Sequence, residues 1–123
     1  MTGWKTWIVA TLAACGLGVL DAPLMPGTTS VEAADGAIEI RIFSFKPSPL
    51  SVPKGTTVTW TNGDEITHTV TSGTPEHRDD QFNAPLVGKG TSFRFTFTNP
   101  GTYRYFCDRH QHMRGEIRVN EPD

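Results

Sequence analysis

A short segment near the end of the 123-residue chain carries the side chains best suited to chemistry. Cys107, His110 and Met113 follow one another at the spacing C-x2-H-x2-M. A loop of this length can bring a thiolate, an imidazole and a thioether to one point. Because sulfur and imidazole ligands together suit several transition metals, the segment predicts a metal site.

A second imidazole must come from elsewhere in the chain, because one short loop cannot easily supply a trigonal set of ligands. His68 is the obvious donor, since it lies just after a predicted turn and near the start of a predicted strand. A thiolate, two imidazoles and a weak axial thioether form the ligand set of blue copper sites. His112 could replace His110 or bind a second metal, but we expect it to be solvated, as we expect of His77.

Residues 37–120 carry apolar and polar residues in short alternating runs, which is the period of β-strands. Gly, Pro and Asn residues separate the runs, and no stretch has a sustained helical repeat. Many short strands with regular turns are typical of an all-β sandwich or barrel. The apolar residues change from even-numbered to odd-numbered positions near Ile42, which predicts a bulge or bend there. Residues 73–90 alternate least, and we expect a loop or a short helical turn within them.

The run that ends at Cys107 predicts the direction of its side chain. Tyr103, Tyr105 and Cys107 share one parity, so the cysteine faces inward if the two tyrosines do. We therefore expect a buried thiol at the end of a strand. The aromatic residues of this run and of residues 93–97 are most simply core residues.

The composition argues against nucleic acid as a partner. The chain has 11 Lys and Arg residues against 13 Asp and Glu residues, a formal net charge of −2. A protein that grips phosphates normally carries a basic surplus, and none exists here.

Two segments together resemble the cupredoxins of the plastocyanin and amicyanin type. They are residues 58–70 (VTWTNGDEITHTV) and residues 101–110 (GTYRYFCDRH). The two-residue gap between His110 and Met113 is similar to that of amicyanin, whereas plastocyanin has a longer gap. The resemblance covers about residues 37–120 and implies a Greek-key β-sandwich there.

The resemblance also implies roles for the ligands and for the protein. His68, Cys107 and His110 become the equatorial ligands of one copper ion, and Met113 becomes the axial ligand. A monomeric one-electron carrier that meets redox proteins in transient encounters is expected. The alternative is a copper-binding or copper-delivery protein of the same fold that does not shuttle electrons. We expect no enzymatic activity, since no nucleophile–base pair and no carboxylate dyad is visible and four ligands leave no open metal position.

Two features depart from the family pattern. The family often places Asn directly after the first ligand histidine, where it braces the ligand loops, and this chain has Thr69. The brace is either lost or remade by the threonine hydroxyl. The ligand loop also carries polar and charged residues where the family usually has proline and apolar residues: Asp108, Arg109, Gln111, His112 and Arg114. The loop therefore favours a charged docking surface over an apolar one.

Residues 1–33 have the features of a secretory signal. Their apolar stretch follows Lys5 and is too short for a comfortable membrane span. The small-residue pattern Val31-Glu32-Ala33 fits a cleavage site, which would leave a copper-binding domain of residues 34–123. The expected location is the periplasm or another extracytoplasmic space.

A lipoprotein signal is the alternative interpretation of the same region. The segment Leu12-Ala13-Ala14-Cys15 resembles the lipobox of bacterial lipoproteins, in which the cysteine becomes lipidated. Residues 1–14 would then be the signal and residues 16–36 a flexible linker. Only this alternative ties the protein to a membrane, through Cys15.

Overall fold

The computed structural model describes residues 35–122, and this part of the chain forms nine β-strands. The strands are β1 (Asp35–Arg41), β2 (Ser44–Lys46), β3 (Leu50–Pro53), β4 (Thr56–Asn62), β5 (His68–Gly73), β6 (Arg78–Leu86), β7 (Ser92–Phe97), β8 (Gly101–Phe106) and β9 (Arg114–Asn120). They form two sheets with the strand orders β2-β1-β4-β7 and β3-β9-β8-β5-β6. The all-β sandwich expected from the sequence is confirmed.

Two pairs of neighbouring strands are parallel, and the others are antiparallel. In β1 and β4, Ile38 lies opposite Trp60, and in β3 and β9, Val52 lies opposite Val119. Parallel neighbours cannot be joined by a tight turn, so distant parts of the chain must meet in each sheet. The consecutive strands β3 and β4 accordingly belong to different sheets.

An aromatic cluster fills the space between the sheets. The Trp60 ring is fully buried and contacts the rings of Phe82, Phe93, Phe97 and Tyr105 at centroid distances between 5.3 and 6.3 Å. Burial of apolar surface contributes about 25 cal/mol per Å², so large rings dominate the stability of a small domain. This core fixes the strand ends from which the candidate site is built.

The structure refines two expectations about the strands. The loop expected within residues 73–90 occupies residues 74–77 and 87–90, and the strand β6 lies between these two parts. That strand lies at a sheet edge and buries only Phe82 and Leu86 fully, so its alternation is weak in the sequence. The bend expected at the end of β1 is confirmed as a turn of two residues, because Arg41 pairs directly with Ser44.

The predicted signal segment and Cys15 lie outside the described residues. The linker of residues 16–36 does so as well, except for Asp35 and Gly36, which pair with β4 as the first residues of β1. Within residues 35–122, no helix is long and apolar enough to cross a membrane.

Candidate metal centre

Two neighbouring strand ends bring His68 and Cys107 together at one end of the sandwich. His68 is the first residue of β5, and Cys107 directly follows β8. These strands are antiparallel neighbours with Thr71 opposite Phe106, so the beginning of β5 lies beside the end of β8. Residues far apart in sequence thus meet because of strand pairing.

Backbone hydrogen bonds fold the C-x2-H-x2-M segment between β8 and β9 into a compact loop. The His110 amide donates to the Cys107 carbonyl at 3.3 Å, and the Met113 amide donates to the His110 carbonyl at 2.8 Å. The Cys107 amide donates back to the Met113 carbonyl at 3.0 Å and closes the loop. Met113 is 2% exposed and belongs to the same buried cluster as Cys107.

The donor atoms of His68, Cys107 and His110 lie within 4.8 Å of one another. Cys107 Sγ is 3.8 Å from His68 Nδ1 and 3.7 Å from His110 Nδ1. Zinc makes bonds of roughly 2.0 Å to nitrogen and 2.3 Å to sulfur, and two such bonds diverging from one ion span these separations. The cluster therefore has the dimensions of a site for a single ion.

Burial differs among these three residues. His68 and Cys107 are fully buried, whereas His110 is only partly buried. The inward direction of the thiol follows the parity of Tyr105, which is also buried, so that prediction is confirmed. One imidazole edge of the site is thus accessible from outside while the sulfur is shielded.

Electrostatics favour a neutral His110 imidazole, which is the form that binds metals. Partial desolvation lowers the pKa of His110, and the nearby His68 and His112 rings and the Arg109 guanidinium lower it further. The ring nitrogen that faces Cys107 is therefore available as a donor at neutral pH.

Asp64 supports the buried imidazole from the side opposite the thiol. Its Oδ2 lies 2.8 Å from His68 Nε2. Partial burial alone would raise the pKa of the Asp64 carboxyl. Hydrogen bonds from the Ile42 amide, the His68 ring and the Phe43 amide outweigh that effect, so the pKa lies below its usual value. A carboxylate on one ring nitrogen fixes the other nitrogen as the donor.

The hydroxyl of Thr69 provides the brace that the sequence left in question. It accepts a hydrogen bond from the Asp108 amide at 2.7 Å. The Thr69 amide in turn donates to Cys107 Sγ at 3.3 Å. The segment after His68 and the segment after Cys107 are therefore joined, without the Asn that the family often uses.

Two of the ligand-loop charges are paired within the molecule. Arg78 forms an ion pair with Asp108, and Arg114 Nη2 lies 3.1 Å from Glu76 Oε1. Arg78 also lies over the Phe106 ring, with its guanidinium carbon 5.6 Å from the ring centroid. Because these charges already have partners, they offer less to a docking protein than the sequence indicates.

Apolar side chains from other loops are exposed at the same end of the sandwich. They follow β1, precede β5 and follow β6, and they are Ile42, Phe43, Ile66 and Val87. This surface is therefore more apolar than the polar ligand loop alone predicts. One sign of it is visible in the sequence, the change of parity at the end of β1, but no pattern indicates which side chains are exposed.

The two remaining histidines contribute no donor atom to the cluster. His112 is exposed, as expected, and its ring lies 6.4 Å from that of Phe43. His77 is also exposed, in the turn between β5 and β6. Neither belongs to the group of donor atoms around the Cys107 sulfur.

A model of the copper-binding proteins of the plastocyanin/azurin family matches residues 31–120. The chain belongs to this family. Amicyanin of Paracoccus denitrificans is 32% identical to it over an alignment of 126 positions, which covers 93% of this chain and 96% of that protein. The resemblance inferred from the two motifs is confirmed, and the metal of this cupredoxin is copper.

Solved structures agree with the fold. A purple cupredoxin from Nitrosopumilus maritimus is 30% identical, with a TM-score of 0.63, and the match covers 70% of this chain and all of that one. A copper-containing nitrite reductase from Thermus scotoductus is 34% identical with a TM-score of 0.63. That match covers 72% of this cupredoxin but only 23% of the reductase chain, so the same fold also occurs as a part of a larger protein.

The donor chemistry of the site fits copper on independent grounds. Two imidazole nitrogens lie near one buried cysteine sulfur, and Met113 of the same loop belongs to the same buried cluster. A trigonal set of two His and one Cys with a weak axial Met is diagnostic of blue copper sites.

Proposed function

We propose that this cupredoxin carries single electrons between redox proteins, with one copper ion held by His68, Cys107 and His110. Met113 supplies a weak fourth donor. The observation that carries the proposal is the cluster of two Nδ1 atoms around the buried Cys107 sulfur, within the fold of a copper-binding family. When bound, copper supplies a Cu(II)/Cu(I) couple.

The protein's contribution is to hold the donors in one arrangement and to keep water out. His68 is fixed by β5 and by Asp64, and Cys107 by the end of β8 and the Thr69 amide. Because these two donors are held by strand pairing and hydrogen bonds, little of the site would have to move when an electron arrives or leaves. With copper bound, the hydrogen bond to the Cys107 sulfur and the thioether of Met113 would tune the reduction potential.

His110 is the proposed point of electron entry and exit, because it is the partly exposed member of the cluster. The exposed apolar side chains at this end, among them Ile42 and Val87, favour contact with an apolar patch on a redox partner. Such encounters are weak and short-lived, as electron transfer requires. The protein is proposed to act as a monomer.

We propose that the protein works outside the cytoplasm, after removal of residues 1–33. Acylation at Cys15, with a tether that ends where β1 begins at Asp35, remains the alternative for the same compartment. Mass spectrometry of the native N-terminus separates the two. A terminus near Ala34 supports cleavage into a domain of residues 34–123, and an acylated Cys15 supports the anchor.

We propose that the protein is not an enzyme, because four protein ligands leave no open position on the ion for a substrate. The nitrite reductase comparison defines the relevant assay. The reduced, copper-loaded protein is expected to leave nitrite unchanged. Catalytic consumption of nitrite would contradict this part of the proposal.

The test of the carrier function is voltammetry of the copper-loaded protein together with its visible spectrum. A reversible one-electron wave and an intense thiolate-to-copper band are expected. Cys107→Ser is expected to abolish the band while circular dichroism still reports a folded sandwich, since the side chain is nearly the same size. A tightly bound but electrochemically silent copper would instead favour copper delivery.

A further inference from the structure

The turn between β1 and β2 contains two bulky residues in an unfavourable backbone conformation. Arg41 pairs with Ser44, so Ile42 and Phe43 alone form the loop. Their φ angles are +48° and +56°, in the left-handed region. Such two-residue turns are normally built from Asn and Gly, because β-branched and bulky residues with positive φ are strained. The hairpin needs a tight turn, but it does not need isoleucine and phenylalanine in it.

A single carboxylate fastens this turn to the loop between β4 and β5. Asp64 Oδ1 accepts a hydrogen bond from the Ile42 amide at 2.9 Å, and Asp64 Oδ2 accepts one from the Phe43 amide at 3.3 Å. The preceding Gly63 donates to the Ile40 carbonyl at 2.8 Å. A Cβ atom at Gly63 would lie 2.8 Å from that same oxygen, so only glycine permits this close approach.

The turn places the Phe43 ring against both imidazoles of the proposed copper site. Its centroid lies 5.5 Å from that of His68 and 4.9 Å from that of His110, edge-on at 87° to each. The exposed His112 ring lies 6.4 Å away at an interplanar angle of 29°. The same Asp64 oxygen that holds the Phe43 amide is 2.8 Å from His68 Nε2. One carboxylate thus ties the turn to a metal-ligand imidazole.

We propose that the Ile42–Phe43 turn is an aromatic cover for the copper site and that Asp64 is the positioning residue that fastens it. The Phe43 ring holds both imidazoles in the orientation in which Nδ1 faces the Cys107 sulfur, and it keeps water from their edges. Strained backbone persists only where surrounding contacts over-determine it, and it concentrates at functional sites. The inference rests on the proposed copper site and identifies what holds that site closed.

Val87 provides a matched control for this proposal. It is an exposed apolar residue at the same end of the sandwich, 66% exposed against 41% for Phe43. It directly follows Leu86, which pairs with His68 across the strands. If the site needed only apolar surface nearby, Val87 and Phe43 would serve it equally. If Phe43 covers the site, only the loss of Phe43 affects it.

The test measures how fast a Cu(I) chelator removes copper from the reduced full-length protein, together with the paramagnetic resonance spectrum of the oxidised form. Phe43→Ala and Asp64→Ala are each expected to accelerate copper loss on the order of tenfold, as substitution of residues that support metal ligands does. Both are expected to change the spectrum. Val87→Ala is expected to match the wild type in both measurements.

A double variant separates the cover from the stability of the turn. Ile42→Asn combined with Phe43→Gly gives the turn its favoured residues, so the metal-free protein is expected to unfold at no lower temperature than the wild type. It is nevertheless expected to lose copper as fast as Phe43→Ala does. Faster loss from a protein that is no less stable cannot be attributed to misfolding.

Two results would overturn the cover while leaving the copper site intact. One is a rate of copper loss in Phe43→Ala equal to that of the wild type. The other is an equal acceleration in Val87→Ala. A wild-type protein without a thiolate-to-copper band would instead overturn the proposed function, and the cover with it.

Discussion

Thr69 connects the two ligand segments through both its backbone and its side chain. Its amide donates to the Cys107 sulfur at 3.3 Å. Its hydroxyl accepts the Asp108 amide at 2.7 Å, which satisfies a donor that is partly withdrawn from water. A single threonine therefore performs the bracing that the family often assigns to Asn.

Replacing Thr69 with Val keeps the shape of the side chain and removes the acceptor. The Asp108 amide then loses its partner, and the free energy of unfolding is expected to fall by about 1 kcal/mol. Urea unfolding of the metal-free protein measures the change. Thr69→Ser keeps the hydroxyl and is expected to retain most of the stability. A stable Val variant beside a destabilised Ser variant would assign the effect to the methyl group.

The proposed ligands are predictable from sequence, but the residues that support them are not. The spacing of Cys107, His110 and Met113 identifies them as candidate ligands, because one short loop must present all three donors. Asp64 and Phe43 act on the site through contacts between loops that are distant in the chain. No local pattern reports such contacts, so only the folded structure reveals them.

At the scale of elements, the turn between β5 and β6 and the first residue of β6 support the two ends of the ligand loop. Glu76 of the turn pairs with Arg114 at the end of the loop, and Arg78 of β6 pairs with Asp108 near its start. Exposed ion pairs contribute little to stability individually. Their position explains how a loop without the usual prolines is held at both ends.

The pKa of the Glu76 carboxyl provides a measure of its contact with Arg114. The bond from its own backbone amide and then the bond from Arg114 hold the pKa of Glu76 below its usual value. Its stabilising effect is therefore present above the ordinary carboxyl range and is lost as the pH falls through the lowered pKa. Arg114→Gln is expected to raise the pKa of Glu76 part of the way back, measured by NMR.

Arg118→Gln is the control for that titration, because the Arg118 guanidinium pairs with Glu116 at 2.6 Å instead. It is expected to leave the pKa of Glu76 unchanged. Identical Glu76 titration curves in the wild type and both variants would contradict the contact between the β5–β6 turn and the ligand loop.

Elements were predictable where one face is buried and the other exposed. β1 and β9 follow that rule, whereas β6 lies at an edge and has too few buried residues to alternate visibly. The Ile42–Phe43 turn was visible only as a change of parity, because it lacks the Asn and Gly that normally mark such turns. Edges and strained turns are thus where sequence patterns are weakest.

For the whole molecule, the core is expected to keep its fold when copper is removed. Trp60 and its aromatic neighbours are contributed by strands and do not depend on the metal. Binding to the folded state alone adds about 2.7 kcal/mol when free metal is about 100 times the Kd, so removal should lower the unfolding temperature. Far-ultraviolet circular dichroism should stay unchanged.

Cys107→Ser serves as the control for metal removal, since its unfolding temperature is expected to respond little to added copper. Loss of the β-sheet signal in metal-free wild-type protein would contradict the account, because it would make the fold dependent on the metal.

The alternation of apolar and polar residues predicted the class of the whole fold, but it did not predict how the strands are arranged. Short runs with period two predict a sandwich, yet nothing local indicates that β1 runs parallel to β4 or that β3 runs parallel to β9. Those pairings arise from the burial of faces that belong to distant segments. The resemblance to cupredoxins, rather than periodicity, supplied the Greek-key arrangement.

A crystal structure of the copper-loaded protein, with diffraction recorded at the copper absorption edge, tests the central claim most directly. We predict a single copper peak bonded to Nδ1 of His68, Sγ of Cys107 and Nδ1 of His110. A peak at His112 or His77, with the sulfur free of metal, would contradict the account.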